Sequence, residues 1–191
     1  MAVTAASSLA VVPSGRRVGA LPRLSSCSAA VRPLLAQDLG PLMSSVGVLV
    51  DRLYPSGALK LQERLADALN GYSAAFVVPD RNNRPIALAS ESFKGCRNAK
   101  LSTFWVHPSA RGRGVGKALL VNRQISWIAA GYERVHVTVR EERSDELEKL
   151  FLPRGFQRTL VVVGRYGEGQ DEVVLTWQPG AVDDLCSPEI K

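Results

Sequence analysis

The chain has 191 residues, 46% of them hydrophobic and 22% charged, which suits one soluble domain with a sizeable core. No apolar run approaches the roughly 18 residues that cross a bilayer, and no period of about 20 to 50 residues recurs, so neither a membrane span nor a repeat array is expected. The net charge of +6 is concentrated at the start: residues 1–37 hold Arg16, Arg17, Arg23 and Arg32 and no acid, leaving 20 basic against 18 acidic residues elsewhere. A nearly neutral body without interleaved aromatic and basic residues gives no sign of a nucleic-acid partner.

The opening "MAVTAASSLAVVPSGRRVGALPRLSSCSAA" is acid-free and rich in Ala, Ser, Val and Arg. That is the composition of an organellar transit peptide, and equally of a disordered leader or an overlong start in a GC-rich genome. Residues 1–29 are expected outside the fold, residues 30–178 as the domain and 179–191 as a flexible tail. Cys27, Cys96 and Cys186 form no CxxC pattern, and His107 and His136 are the only histidines. A disulfide framework and a metal site are therefore not indicated, and a reducing compartment fits: the cytoplasm, or a plastid or mitochondrion if the leader is a transit peptide.

Within the body, a short strand is expected at Val31 to Leu35, then Asp38 as the cap of a helix with Leu42, Val46, Leu49, Val50 and Leu53 on one face. A second helix spans about Ser56 to Asn70, with Leu61, Leu65, Ala68 and Leu69 in one stripe and Gly71 as its stop. "YSAAFVVP", "PIALASESF" and "KLSTFWVHP" read as three strands of an antiparallel meander. Val115 to Ala130 reads as a helix stopped by Gly131, and "ERVHVTV" as the next strand, so the strands flanking this helix should be parallel. Ser144 is placed to cap a further helix, and "FQRTLVVVG" and "DEVVLTW" are strands around the loop 165–171. The sum is an α/β fold: a mixed, mostly antiparallel sheet with helices on both faces.

"HPSARGRGVGKALL", residues 107–120, joins a strand to a helix through Gly112, Gly114 and Gly116, with Arg111, Arg113 and Lys117 among them. Free N–H groups and the positive end of a helix dipole meet there, which suits a phosphate or pyrophosphate. A Walker loop fails, because Ala118 follows Gly116-Lys117 and Arg111 stands where the first glycine belongs; a dinucleotide fingerprint fails on glycine spacing. Arg111-x-x-Gly114-x-Gly116 after Val106-His107-Pro108 instead resembles the pyrophosphate-binding signature of the GNAT superfamily of N-acetyltransferases. "VRPLLAQDLGPL" is similar to a frequent opening of that family and "FLPRGF" to its penultimate helix with the following Gly-Phe, so the resemblance runs from about Val31 to Trp177.

The resemblance implies acetyl-CoA as co-substrate, its pyrophosphate held by the backbone N–H groups of Arg113, Gly114, Val115, Gly116 and Lys117, with Gly112 and the side chain of Arg111 also at the cofactor. Its pantetheine arm would pair with Phe104, Trp105 and Val106, and its thioester would lie where two parallel strands splay apart, facing an amine. The acceptor is a small-molecule or protein amine, and a homodimer is compatible with the fold. Three positions depart from the family: Phe151 stands where a tyrosine is frequent, Ser144 replaces a frequent asparagine, and Ser102 is the nearest match to a frequent carboxylate. The substitutes read from the residues are Tyr166, in a Gly-flanked loop, as proton donor, and Glu91 or Glu172 as base. An acyl-CoA-binding module without strong catalysis is the alternative from another class.

Overall fold

A computed structural model describes residues 30–165, 167 and 169–180. The expected leader, Tyr166 and all but the first two residues of the tail lie outside the described residues. Seven strands form one sheet: β1 (Arg32–Pro33), β2 (Ala74–Pro79), β3 (Pro85–Phe93), β4 (Asn98–Val106), β5 (Arg134–Arg140), β6 (Phe156–Val162) and β7 (Glu172–Trp177). They lie in the order β1-β2-β3-β4-β5-β7-β6, with β7 inserted between β5 and β6. All neighbours are antiparallel except β4 and β5, the pair joined through the helix α4 (Val115–Ala129). Here the single helix packs back on the sheet and returns the chain beside β4 as a parallel crossover, as the sequence predicts.

Each sheet face carries its own core, which is why Val77 and Val78 are both buried on one strand. One core joins Ala87, Ala89 and Leu101 to Leu119, Leu120 and Trp127 of α4 and to Phe151 of α5 (Ser144–Phe151). The other joins Val77, Leu88 and Trp105 to Leu42, Val46, Leu61 and Leu65 from the helices before the meander. Those helices are α1 (Leu39–Leu42), a π-helical turn (Met43–Gly47), α2 (Val48–Leu53) and α3 (Gly57–Leu69). In the π turn the hydroxyls of Ser44 and Ser45 bond to the carbonyls of Gly40 and Pro41, local competition of the kind that loosens a helix.

Four local expectations are corrected. The first strand is only two residues long, because Pro33 has no N–H to extend the ladder. Asp38 does not cap α1; its buried carboxylate accepts from Leu35 N–H and from both Arg32 terminal nitrogens, at 2.7 to 2.9 Å, and pins the short 3-10 turn Ala36–Asp38. Leu69 is exposed at the end of α3 rather than on its buried stripe. Ser144 is the first residue of α5, behind the 3-10 turn Glu141–Arg143, and its side chain makes no cap. Among the described residues no helix is long and apolar enough to cross a membrane.

Candidate active site

β4 and β5 begin as a pair and then part. They are in register from Asn98↔Arg134 to Leu101↔Val137 and no further. At that point the register of β4 against β3 shifts, Ser90 facing Thr103 and Glu91 facing Leu101, so Ser102 is an extra residue. Such a bulge bends its strand and adds twist, which turns Thr103 to Val106 away from β5. β5 meanwhile stays with β7 through Arg140↔Glu172. The fork opens into a cavity of about 900 Å³, lined by Ser102 to Val106 on one side and Val137 to Val139 on the other.

The glycine turn closes one end of this cavity. His107 Nδ1 accepts from Ser109 N–H at 3.2 Å and fixes the 3-10 turn Pro108–Ala110, so His107 serves the turn. Gly114, the N-cap of α4, has φ of +79°, a conformation that a Cβ disfavours. Gly116 is needed for a different reason: a Cβ there would stand 3.2 Å from Val106 Cγ2 and 3.4 Å from Leu150 Cδ2. The first backbone bond of α4 runs from Ala118 N–H to the Gly114 carbonyl. Among the described residues, no acceptor takes the N–H groups of Gly112 to Lys117. Cβ atoms built at Gly112 and Gly114 would meet nothing within 4 Å. Open space, unpaired donors and the positive helix end make an anion cradle.

Of the residues expected here, Phe104, Trp105, Val106, Arg111, Gly112, Gly114, Val115, Gly116 and Lys117 line the cavity. Arg111 Nε donates to the Val106 carbonyl at 3.2 Å, tying the turn to the end of β4. Arg113 is exposed and is not among the lining residues. The Trp105 ring is buried in the core under α1 to α3, so only its backbone suits a strand-like partner.

The structure corrects the reading of Glu91. Alternation along β3 puts Glu91 with Ala87 and Ala89 on the α4 face, where its Oε1 accepts from Arg123 Nε at 2.7 Å. The Arg123 guanidinium also lies over the Phe76 ring, and Glu91 does not line the cavity. Phe151 is fully buried, edge-on to Phe104 and Phe156 at 5.2 and 4.8 Å, a core side chain where the family often has a tyrosine. Ser102 Oγ shares a 2.9 Å hydrogen bond with Ser92 Oγ. Glu172 is buried at the start of β7, with its carboxylate 3.9 Å from Arg165 Nε, and its charge acts on Tyr54 and Lys100.

Tyr54 was not legible in the sequence as a site residue. It follows α2 in a surface turn, yet it lines the cavity with Arg140 over its ring at 5.2 Å. Burial pushes its phenol up from the ordinary value; Arg140 works against that and Glu172 with it. The phenol thus stays protonated at neutral pH. His136 stands on β5 beside Lys100, and burial together with the Lys100 charge pushes its imidazole down, so it is neutral.

Residues 49–156 match the model of the acetyltransferase (GNAT) family. A solved GNAT-family chain from Desulfovibrio desulfuricans superposes with a TM-score of 0.66 at 19% identity, covering 78% of this chain and 98% of that one. A GNAT family acetyltransferase from Elizabethkingia anophelis with acetyl-CoA bound gives 0.60 at 15% identity, over 78% and 96%. An aminoglycoside 6'-N-acetyltransferase complexed with coenzyme A gives 0.63 at 11%, over 78% and 96%. At these identities the likeness is one of fold. No curated protein matches the sequence.

Proposed function

The chain belongs to the acetyltransferase (GNAT) family, and from that premise we propose that it is an acetyl-CoA-dependent N-acetyltransferase acting by direct transfer to a primary amine. The observation that carries this reading is the fork of β4 and β5 opening onto the N–H groups of Gly112 to Lys117, which have no other acceptor among the described residues. Those donors, with Arg111 and Lys117, hold the coenzyme A pyrophosphate. The backbone of Ser102 to Val106, parted from β5, pairs with the pantetheine amides and brings the thioester to the fork.

There the amine nitrogen attacks the thioester carbonyl carbon, the C–S bond breaks, and coenzyme A leaves as thiolate. The nitrogen must lose a proton and the thiolate must gain one. Glu172 is the base we assign, acting through water: its buried carboxylate is not itself in the cavity wall but stands behind it, close enough for its charge to reach the cavity-lining Tyr54 and Lys100. Tyr54, kept protonated by burial, is the donor to the thiolate. Glu91, paired with Arg123, takes no part, and Phe151 has no proton to give. A reducing compartment suits the exposed free thiol of Cys96.

The Phe151 position supports a second reading, an acyl-CoA-binding module of the same fold with weak catalysis. Release of coenzyme A thiol from acetyl-CoA, followed with and without added primary amines, separates the two. Amine-dependent release supports the enzyme; binding of acetyl-CoA without release by any amine supports the module.

A further inference from the structure

The cavity end away from the glycine turn is cationic. Lys60 and Arg64 stand one turn apart on α3, Lys100 faces the same space from β4, and all three line the cavity. Lys100 lies six residues before Val106, about 20 Å back along the strand from the turn that holds Arg111 and Lys117. Lys100, with Arg64 whose charge acts on it, is therefore separate from the cations of the pyrophosphate cradle. Lys60 Nζ donates to the Pro55 carbonyl at 3.3 Å, whereas the side chains of Arg64 and Lys100 have no hydrogen-bonded or ion-paired partner among the described residues.

A half-buried ammonium and guanidinium side by side are unfavourable unless an anion joins them. Burial pushes the Lys100 ammonium down, Glu172 holds it up, and Arg64, Lys94 and Arg165 push it down further, so cations outnumber the one carboxylate around it. Among the described residues the only acid lining the cavity, Glu146, belongs to α5. The cavity must also house the pantetheine arm, which leaves room for a small acceptor.

We infer that the acceptor is a small amine bearing a compact anionic group, a carboxylate or a phosphate, seated against Arg64 and Lys100 with its amino nitrogen toward the β4–β5 fork. This rests on the acetyltransferase reading. The cations neutralise the acid group, and their field disfavours the protonated form of the neighbouring amine, which must be neutral to attack. Polyamines and aminoglycosides would bring like charge to this wall and are rejected.

The test titrates glutamate, O-phosphoethanolamine, ethanolamine and spermidine into the full chain saturated with coenzyme A, in wild type, Arg64→Gln and Lys100→Gln. Glutamate or O-phosphoethanolamine is expected to bind at least tenfold more tightly than ethanolamine, and which of the two binds assigns carboxylate or phosphate. Each substitution should weaken the anionic amine at least tenfold while leaving coenzyme A affinity unchanged, a readout that mere misfolding would not spare. Equal or tighter binding of ethanolamine or spermidine, no binding of either anionic amine, or an unchanged preference in both variants overturns the inference. Failure of coenzyme A to bind in the first place strikes instead at the acetyltransferase reading.

Discussion

Glu91 and Arg123 meet at 2.7 Å between β3 and α4, with 2% and 6% of their side chains exposed, on the side of the sheet opposite the helices α1 to α3. A carboxylate on a strand next to the cleft is thereby a fastening of α4 and not a base. Removing one partner strands the other charge in the core, which costs about 3–5 kcal/mol. Arg123→Met is accordingly predicted to lose that much in urea unfolding while the folded fraction keeps its affinity for coenzyme A. A variant of unchanged stability would refute the fastening role.

The glycine turn combines two constraints that a substitution separates. Gly114→Ala forces a Cβ into the left-handed region, at about 1–2 kcal/mol, and into the open space that the proposed function gives to the phosphates. Coenzyme A affinity should fall at least tenfold with only that modest loss of stability. Gly116→Ala acts on packing instead, since its Cβ would crowd Val106 and Leu150, and larger residues there should disturb α4 itself. Calorimetric titration beside thermal unfolding reads both effects; equal affinity in Gly114→Ala would remove the turn from the site.

Tyr54→Phe deletes one oxygen from a half-buried side chain whose ring still packs under Arg140. Loss of a positioned proton donor typically lowers turnover about 10²-fold or more. Turnover should drop by that order with acetyl-CoA affinity unaltered, and steady-state rates with full activity in the variant would hand the donor role to another group.

Acid stability should report the Arg32–Asp38 clamp. Burial pushes the Asp38 carboxyl up, but Arg32 and Leu35 N–H outweigh it and hold the group below its ordinary value. The folded state therefore favours the carboxylate, so the stabilisation is complete above the unfolded value of about 3.9 and is lost as pH falls through the lower folded value. Asp38→Asn is predicted to cost about 1.5–3 kcal/mol at pH 7 and progressively less below pH 4. Urea unfolding across that range checks the sign; a gap that widened toward acid would be inconsistent with the clamp.

Much of the fold was legible because strong local signals agreed: α4 between Gly114 and Gly131, the meander from short turns, the parallel pair from a strand-helix-strand order. The glycine turn was legible for the same reason, as one contiguous stretch. The fork was implied by resemblance alone, since an extra residue at Ser102 leaves no mark in the apolar alternation and only pairing with β3 reveals it. Glu91 was misplaced because alternation permits either face, and the face was decided by a partner 32 residues away in α4. Nothing in the sequence marks Tyr54, Arg64 and Lys100, which stand just after one helix, within another and within a strand. They come together only in the folded chain, where α3, packed on β2 and β3, and the end of α2 line the same cavity as the fork.

The most direct measurement is thermal unfolding of the protein with acetyl-CoA, coenzyme A, ATP and NAD. A ligand that binds only the folded state adds about 2.7 kcal/mol at a hundredfold excess over its dissociation constant. Acetyl-CoA and coenzyme A should raise the midpoint, ATP and NAD should not, and Gly114→Ala should cut the shift to about half or less at the same ligand concentration. No shift with either coenzyme A species, or an equal one with ATP, would contradict an acyl-CoA site between β4 and β5.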